Sequence, residues 1–439
     1  MTELLIILLF LLSCMATWKC LATVRLADLR FEDGILVGMM FYVVCPSFFI
    51  LLLGEINNYE LEAEPFRPFE DLSTSFNILV GWWTVLCFHA TRSARRADIV
   101  ARPTDASYID LFLFGGLYVC LTGIGFVLSG RAEGGHWQHT LGQNLGESTA
   151  LILILNFANV YRTAIFGYLL FAFTRGRISR NALIVVGLLV VAFDFLLTFN
   201  RITAVYFIIC VLWIYRRYFW ALCLSFLALS PIVGYLSTVW SVFRAFALRD
   251  GYNLNGLISA FEISMSISGS KEQPIDRLLN SLFESSSLVV LKYIVKHIDE
   301  SFPPLWGSTF VGRSFTFLVP STWWPDKPRV FGTILGQYIQ STQGLALNST
   351  LFGEALANFY YFWPLALFLM LLLVAEIFRS LSRAFRAAGF LGFFIAVALW
   401  RFDMAFAFIS LFAISVFAIL RAIIRGSFVR PTRNARSYS

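Results

Sequence analysis

"LLIILLFLLSCMA" (Leu4–Ala16) is a run of apolar residues preceded by Thr2 and the acidic Glu3 and followed by no A-x-A-like site. A secretory signal would carry a basic start and a small-residue cleavage site, so the run reads as a retained membrane span. Similar runs recur along the chain. Counting those of roughly 17–25 residues as helices gives about eleven, near 4–22, 35–53, 72–90, 109–129, 149–173, 182–199, 202–215, 219–243, 356–378, 387–400 and 404–420. The 439 residues are 58% hydrophobic, 17% aromatic and only 14% charged, with a mean hydropathy of +0.73. A soluble chain of this length shows a far more charged surface. The expectation is an all-α, polytopic integral membrane protein.

Charge placement predicts its orientation. Lys19/Arg25/Arg30, Arg92/Arg95/Arg96/Arg102, Arg175/Arg177/Arg180, Arg216/Arg217, Arg379/Arg383/Arg386 and the tail from Arg421 to Arg436 fall on one side. The opposite short loops hold single arginines: Arg67, Arg131, Arg201 and Arg401. The positive-inside rule then puts the C-terminus in the cytoplasm and the N-terminus outside. Three regions follow: an N-terminal bundle of eight helices (1–245), a large extracytoplasmic loop (246–350), and three helices with a basic tail (351–439). Long loops are commonly functional. Within this one, "SSSLVVLKYIVKHIDE" (285–300) places Leu288, Leu291, Ile294, Val295 and Ile298 on one face, which predicts an amphipathic helix on the membrane surface.

Ionisable residues in apolar context are costly and point to function. Glu354 and Asn358 stand one helical turn apart in "NSTLFGEALANFYYFW" (348–363), where a long apolar run begins. The outer arginines Arg201, Arg244, Arg249, Arg313, Arg329 and Arg401 face the side where membrane proteins avoid positive charge. Snorkelling explains any one of them; together they suit a diphosphate, whose oxygens match guanidinium forks. Arg162 and Asp194 lie at one depth in neighbouring spans and predict a structural ion pair. No phosphate-binding loop, dinucleotide fingerprint, zinc-protease motif or nucleophile elbow is present. His136 and His139 have no third ligand near in sequence, and the seven cysteines lie in or beside apolar runs. Neither a metal, a cofactor nor a nucleic-acid partner is expected.

The order "FLVPSTWWPDKP" (317–328), "NSTLFGEALANF" (348–359) and "WRFDMAF" (400–406) resembles the Wzy-type O-antigen and exopolysaccharide repeat-unit polymerases, with "FNRITAV" (199–205) a looser match to an earlier arginine turn. The first half matches in topology only, and "FYYFW" after Asn358 departs from the Asn-Phe-Gly of many members. The resemblance implies a GT-C-like membrane fold in the bacterial inner membrane, acting at its outer face. It implies transfer of a growing glycan from undecaprenyl diphosphate to a new lipid-linked repeat unit, in the company of a flippase and a chain-length regulator. Glu354 would then be the base and Arg313 the second catalytic group. Arg201, Arg244, Arg249, Lys327, Arg329, Arg401 and Asn358 would hold diphosphate or sugar, and Trp323 and Trp324 would stack on sugar faces. Helix capping explains Glu354 as well, and an interfacial belt explains the tryptophans. Two rival readings remain. An O-antigen ligase would use a loop histidine, for which His297 stands, and a flippase would show duplicated halves and no large outer loop.

Overall fold

The computed structural model describes residues 2–24, 29–55, 67, 69, 71–93, 107–128, 149–198, 202–218, 254–267, 286–298, 302–319, 323, 324, 326–340 and 347–428, with scattered positions in 221–246. Arg201, Arg244, Arg249, His136 and His139 lie outside the described residues, as do 11 of the 25 positions of the span expected at 219–243. Among those described there is no strand; one isolated bridge joins Ile298 and Phe302. The helices are α1 (Thr2–Ala22), α2 (Phe31–Leu53), α3 (Leu72–Ser93), α4 (Tyr108–Leu128), α5 (Thr149–Thr174), α6 (Arg180–Thr198) and α7 (Ile202–Ile214). After these come α8 (Leu254–Ile267), α9 (Ser286–His297), and α10, which opens as a π-turn (Ser308–Gly312) and closes as an α-turn (Arg313–Thr316). The rest are α11 (Phe331–Gln340), α12 (Leu351–Phe359), α13 (Trp363–Ala384), α14 (Ala387–Ala398) and α15 (Ala405–Phe428). Seven helical segments among the described residues are long and apolar enough to cross a membrane, with α7 and α14 as shorter apolar helices. The protein is therefore an α-helical, multi-pass membrane protein.

Local chemistry explains the irregularities. Pro46 lacks the N–H that a continuous α2 would need, and the chain widens into a π-turn at Met40–Val44 just before it. Gly34 and Gly38 sit one turn apart on α2, and α14 and the turn that follows it press onto them. A Cβ on Gly34 would come within 2.0 Å of the Phe393 carbonyl oxygen, and one on Gly38 within 2.2 Å of the Trp400 ring. Small residues at this spacing let two helices approach without a hydrophobic drive from water. The Trp400 indole then donates to the Ile35 carbonyl (3.0 Å).

One end of the bundle is basic. Arg92 pairs with Glu376, the Tyr108 hydroxyl donates to the Arg177 carbonyl, and Arg421 donates to Asp110 (2.8 Å). At the far end, two features differ from the expected spans. The helix expected at 356–378 is two helices, because Tyr360 takes φ 48°, ψ −115° and breaks the axis between α12 and α13. The Phe352 and Trp363 rings meet at 5.8 Å; in one straight helix they would be about 16 Å apart. The pair is thus a hairpin, and α12 folds back into the bundle. Trp363 donates to Asn77 (3.1 Å), while Phe352 lies a turn further along α3, against Gly81. The second feature is α14, whose twelve residues span about 18 Å against a hydrocarbon core of about 30 Å. Its closing turn, 399–404, is packed into the bundle, with Leu399, Trp400 and Met404 buried.

The helix expected in 285–300 is α9, but its apolar face is covered by protein. Leu288–Leu291 and Ile294 are buried, and Ile294 touches α12 at Gly353. The Arg162–Asp194 pair forms as expected, with Arg162 Nη1 donating to Asp194 Oδ1 at 3.0 Å. Tyr118 of α4 and Thr203 of α7 also donate to that carboxylate, at 2.7 and 3.0 Å. Four helices thus meet at one buried charge pair whose carboxylate is fully engaged, while Arg162 Nε has no hydrogen-bond partner.

Candidate active site

The folded-back helix α12 is buried from Leu351 through Asn358. Its Glu354 is 2% exposed, and Oε2 accepts the Met404 backbone N–H at 2.8 Å. That donor belongs to the 399–404 turn, so the hairpin and the short α14 meet here. Oε1 makes no hydrogen bond of normal geometry, and Thr309 is a polar side chain near enough to act on the carboxylate. Glu354 lies within electrostatic reach of Asp403 and Arg313. Arg313 stands in the α-turn of α10, its Nη1 donating to the Pro328 carbonyl (3.0 Å). Its Nε faces Asp403 Oδ2 at 3.5 Å, with the two side chains 11% and 13% exposed. That is an ion pair too long for a hydrogen bond, and both atoms lack a hydrogen-bond partner. Three buried polar atoms from three elements thus keep unused capacity in one place. Native proteins satisfy most such atoms, so this concentration marks a place for water or a ligand.

Asn358 is 0% exposed and tied into the scaffold. Its Nδ2 donates to Thr309 Oγ1 (2.7 Å) and to the Glu354 carbonyl (2.8 Å). Its Oδ1 accepts from the backbone N–H groups of Thr309 and Phe310 at 3.2 and 3.4 Å. It fastens the start of α10 to α12 and so brings Arg313 to the glutamate. Two backbone bonds reinforce the joint: Leu305 N–H to the Ala357 carbonyl (2.8 Å) and Gly307 N–H to the Asn358 carbonyl (3.2 Å).

No family model, curated protein or solved structure matches the chain. The site therefore rests on its geometry.

The other expected residues are placed as follows. Lys327 donates to the Phe317 and Val319 carbonyls at 3.0 and 2.7 Å, which closes the end of α10. Partial burial, with the Arg313 cation nearby, pushes its ammonium below the ordinary lysine value. Arg329 donates to Gln337 (3.3 Å) in an exposed pair. Trp323 and Trp324 are exposed, and no hydrogen bond joins either to the glutamate. Arg401 lies in the same turn as Asp403, within electrostatic reach of Tyr206. His297 packs on the Tyr293 ring at 4.4 Å. Asp403 is the site residue that sequence reading passed over. An acid in the apolar stretch 387–420 was a signal of the same kind as Glu354.

Proposed function

We propose that the chain is a polysaccharide polymerase, a glycosyltransferase that uses lipid diphosphate donors at the outer face of the bacterial inner membrane. It would have about eleven spans, the N-terminus outside and the basic end in the cytoplasm. The observation that carries the reading is the cluster itself: a buried carboxylate with one oxygen outside normal hydrogen bonding, beside an arginine whose fork is only partly engaged. Such a pair suits glycosyl transfer away from a diphosphate. The acceptor hydroxyl oxygen attacks the anomeric carbon of the growing glycan and loses its proton to Glu354. The glycosyl–phosphate bond breaks, and the electron pair leaves on undecaprenyl diphosphate, whose charge Arg313 and Lys327 offset. An apolar groove of about 550 Å³ on the flank of the hairpin, lined by Leu9, Phe76, Trp83, Pro364 and Phe368, offers the isoprenoid a lateral berth.

Glu354→Gln tests this. On full-length protein supplied with a lipid-diphosphate repeat unit, the variant should form glycan ladder roughly 100-fold more slowly or worse, at an unchanged melting temperature. A Gln variant that melts lower but polymerises normally would make Glu354 a structural residue. Transfer of one pre-formed glycan to a lipid acceptor, without laddering, would identify a ligase.

A further inference from the structure

We propose that Asp403 is a positioning residue that sets Arg313 against Glu354, an inference that rests on the polymerase reading above. Two adjacent residues of one turn hold the two catalytic groups. The Asp403 carboxylate faces Arg313 Nε at 3.5 Å, and the next residue's N–H, that of Met404, holds Glu354 Oε2 at 2.8 Å. The Asp403–Met404 step therefore acts, beside the Asn358 joint, on the spacing between base and cation.

The turn is stiff enough for this. Arg401 and Phe402 N–H both bond the Ala398 carbonyl at 2.9 and 3.0 Å. Phe406 N–H bonds the Asp403 carbonyl and Ala407 N–H the Met404 carbonyl, each at 3.0 Å. Arg313 is thus fixed at two corners, by Pro328 through Nη1 and by Asp403 through charge.

The bundle contains its own control. In the Arg162–Asp194 pair the carboxylate accepts from arginine, tyrosine and threonine, and Asp194 is fully buried. Asp403 Oδ2 has no hydrogen bond, and its side chain is 13% exposed. The difference lies in the carboxylates, since the Nε of each arginine lacks a hydrogen bond: Asp194 is saturated, whereas Asp403 holds the guanidinium by charge while leaving hydrogen-bonding capacity for a diphosphate.

The test is a double-mutant cycle on the full-length protein with Asp403→Asn, Arg313→Lys and both together, reading kcat, KM and melting temperature. Asp403→Asn should lower kcat about 10–100-fold with a smaller change in KM, because misplacement by an ångström costs about that much. Asp403→Glu should recover part of the loss. In the Arg313→Lys background, Asp403→Asn should add less than about threefold, since it acts through the arginine. Full multiplication of the two effects would overturn the proposal. So would an unchanged kcat for Asp403→Asn where Glu354→Gln is inactive. A wild-type chain that makes no polymer overturns the functional reading instead. The melting temperatures of the same four proteins then decide the positioning, with additivity against it and coupling for it.

Discussion

Arg313 and Asn358 are both polar and both beside Glu354, yet the geometry separates their roles. Arg313 has a planar fork with one edge engaged by Pro328 and another facing a carboxylate without bonding it. Lysine keeps the charge but not the fork. Arg313→Lys should therefore lose most ladder formation while keeping the fold, as measured by turnover per folded molecule; full activity with lysine would reduce Arg313 to a point charge. Asn358 has no such spare capacity, since its amide bonds four partners. Asn358→Ala would strand buried N–H groups of Thr309 and Phe310 at about 1–3 kcal/mol. We expect a lower melting temperature first and activity loss as a consequence. A variant that melts like the wild type but is inactive would return Asn358 to direct substrate contact.

The hairpin of α12 and α13 turns on a tyrosine in a conformation that glycine adopts freely. Tyr360, at φ 48°, ψ −115°, has the backbone of the first central residue of a type II′ turn. Tyr360→Gly should leave the melting temperature unchanged or raise it, and Tyr360→Val, β-branched, should lower it. The reverse order would mean that the tyrosine ring, not the backbone, shapes the turn. Here sequence reading reached its limit. "NFYYFW" contains no breaker before Pro364, so a continuous span from 356 was the natural expectation, and the reversal at Tyr360 came from packing between Phe352, Trp363 and Gly81. Elements set by hydropathy were legible: α1, α4, α5, α6 and α14 begin and end within a few residues of their apolar runs. Arg162 and Asp194 were legible as a pair because both spans were counted from the same side. Asp403 was not, because its partner Arg313 is distant in sequence and is brought near by Asn358.

Among the described residues, Arg162 and Asp194 pair inside the bundle, while Arg92, Arg177 and Arg421 gather at one end. Asp194→Asn should cost about 3–5 kcal/mol by leaving Arg162 buried without its counter-ion, seen as loss of folded yield; near-wild-type yield would mean the pair is dispensable. The proposed orientation predicts that reporters fused at Arg95, Arg177 and Arg383 read cytoplasmic and one at Lys271 reads external. An external signal at Arg177 would refute the eleven-span arrangement. The central claim is that this membrane protein joins repeat units by displacing lipid diphosphate. It is tested most directly by reconstituting the purified chain with an undecaprenyl-diphosphate-linked oligosaccharide and counting both products. The account predicts a glycan ladder with one free undecaprenyl diphosphate released for each new glycosidic bond. Unchanged substrate, or substrate moved across the bilayer without a new bond, would contradict it.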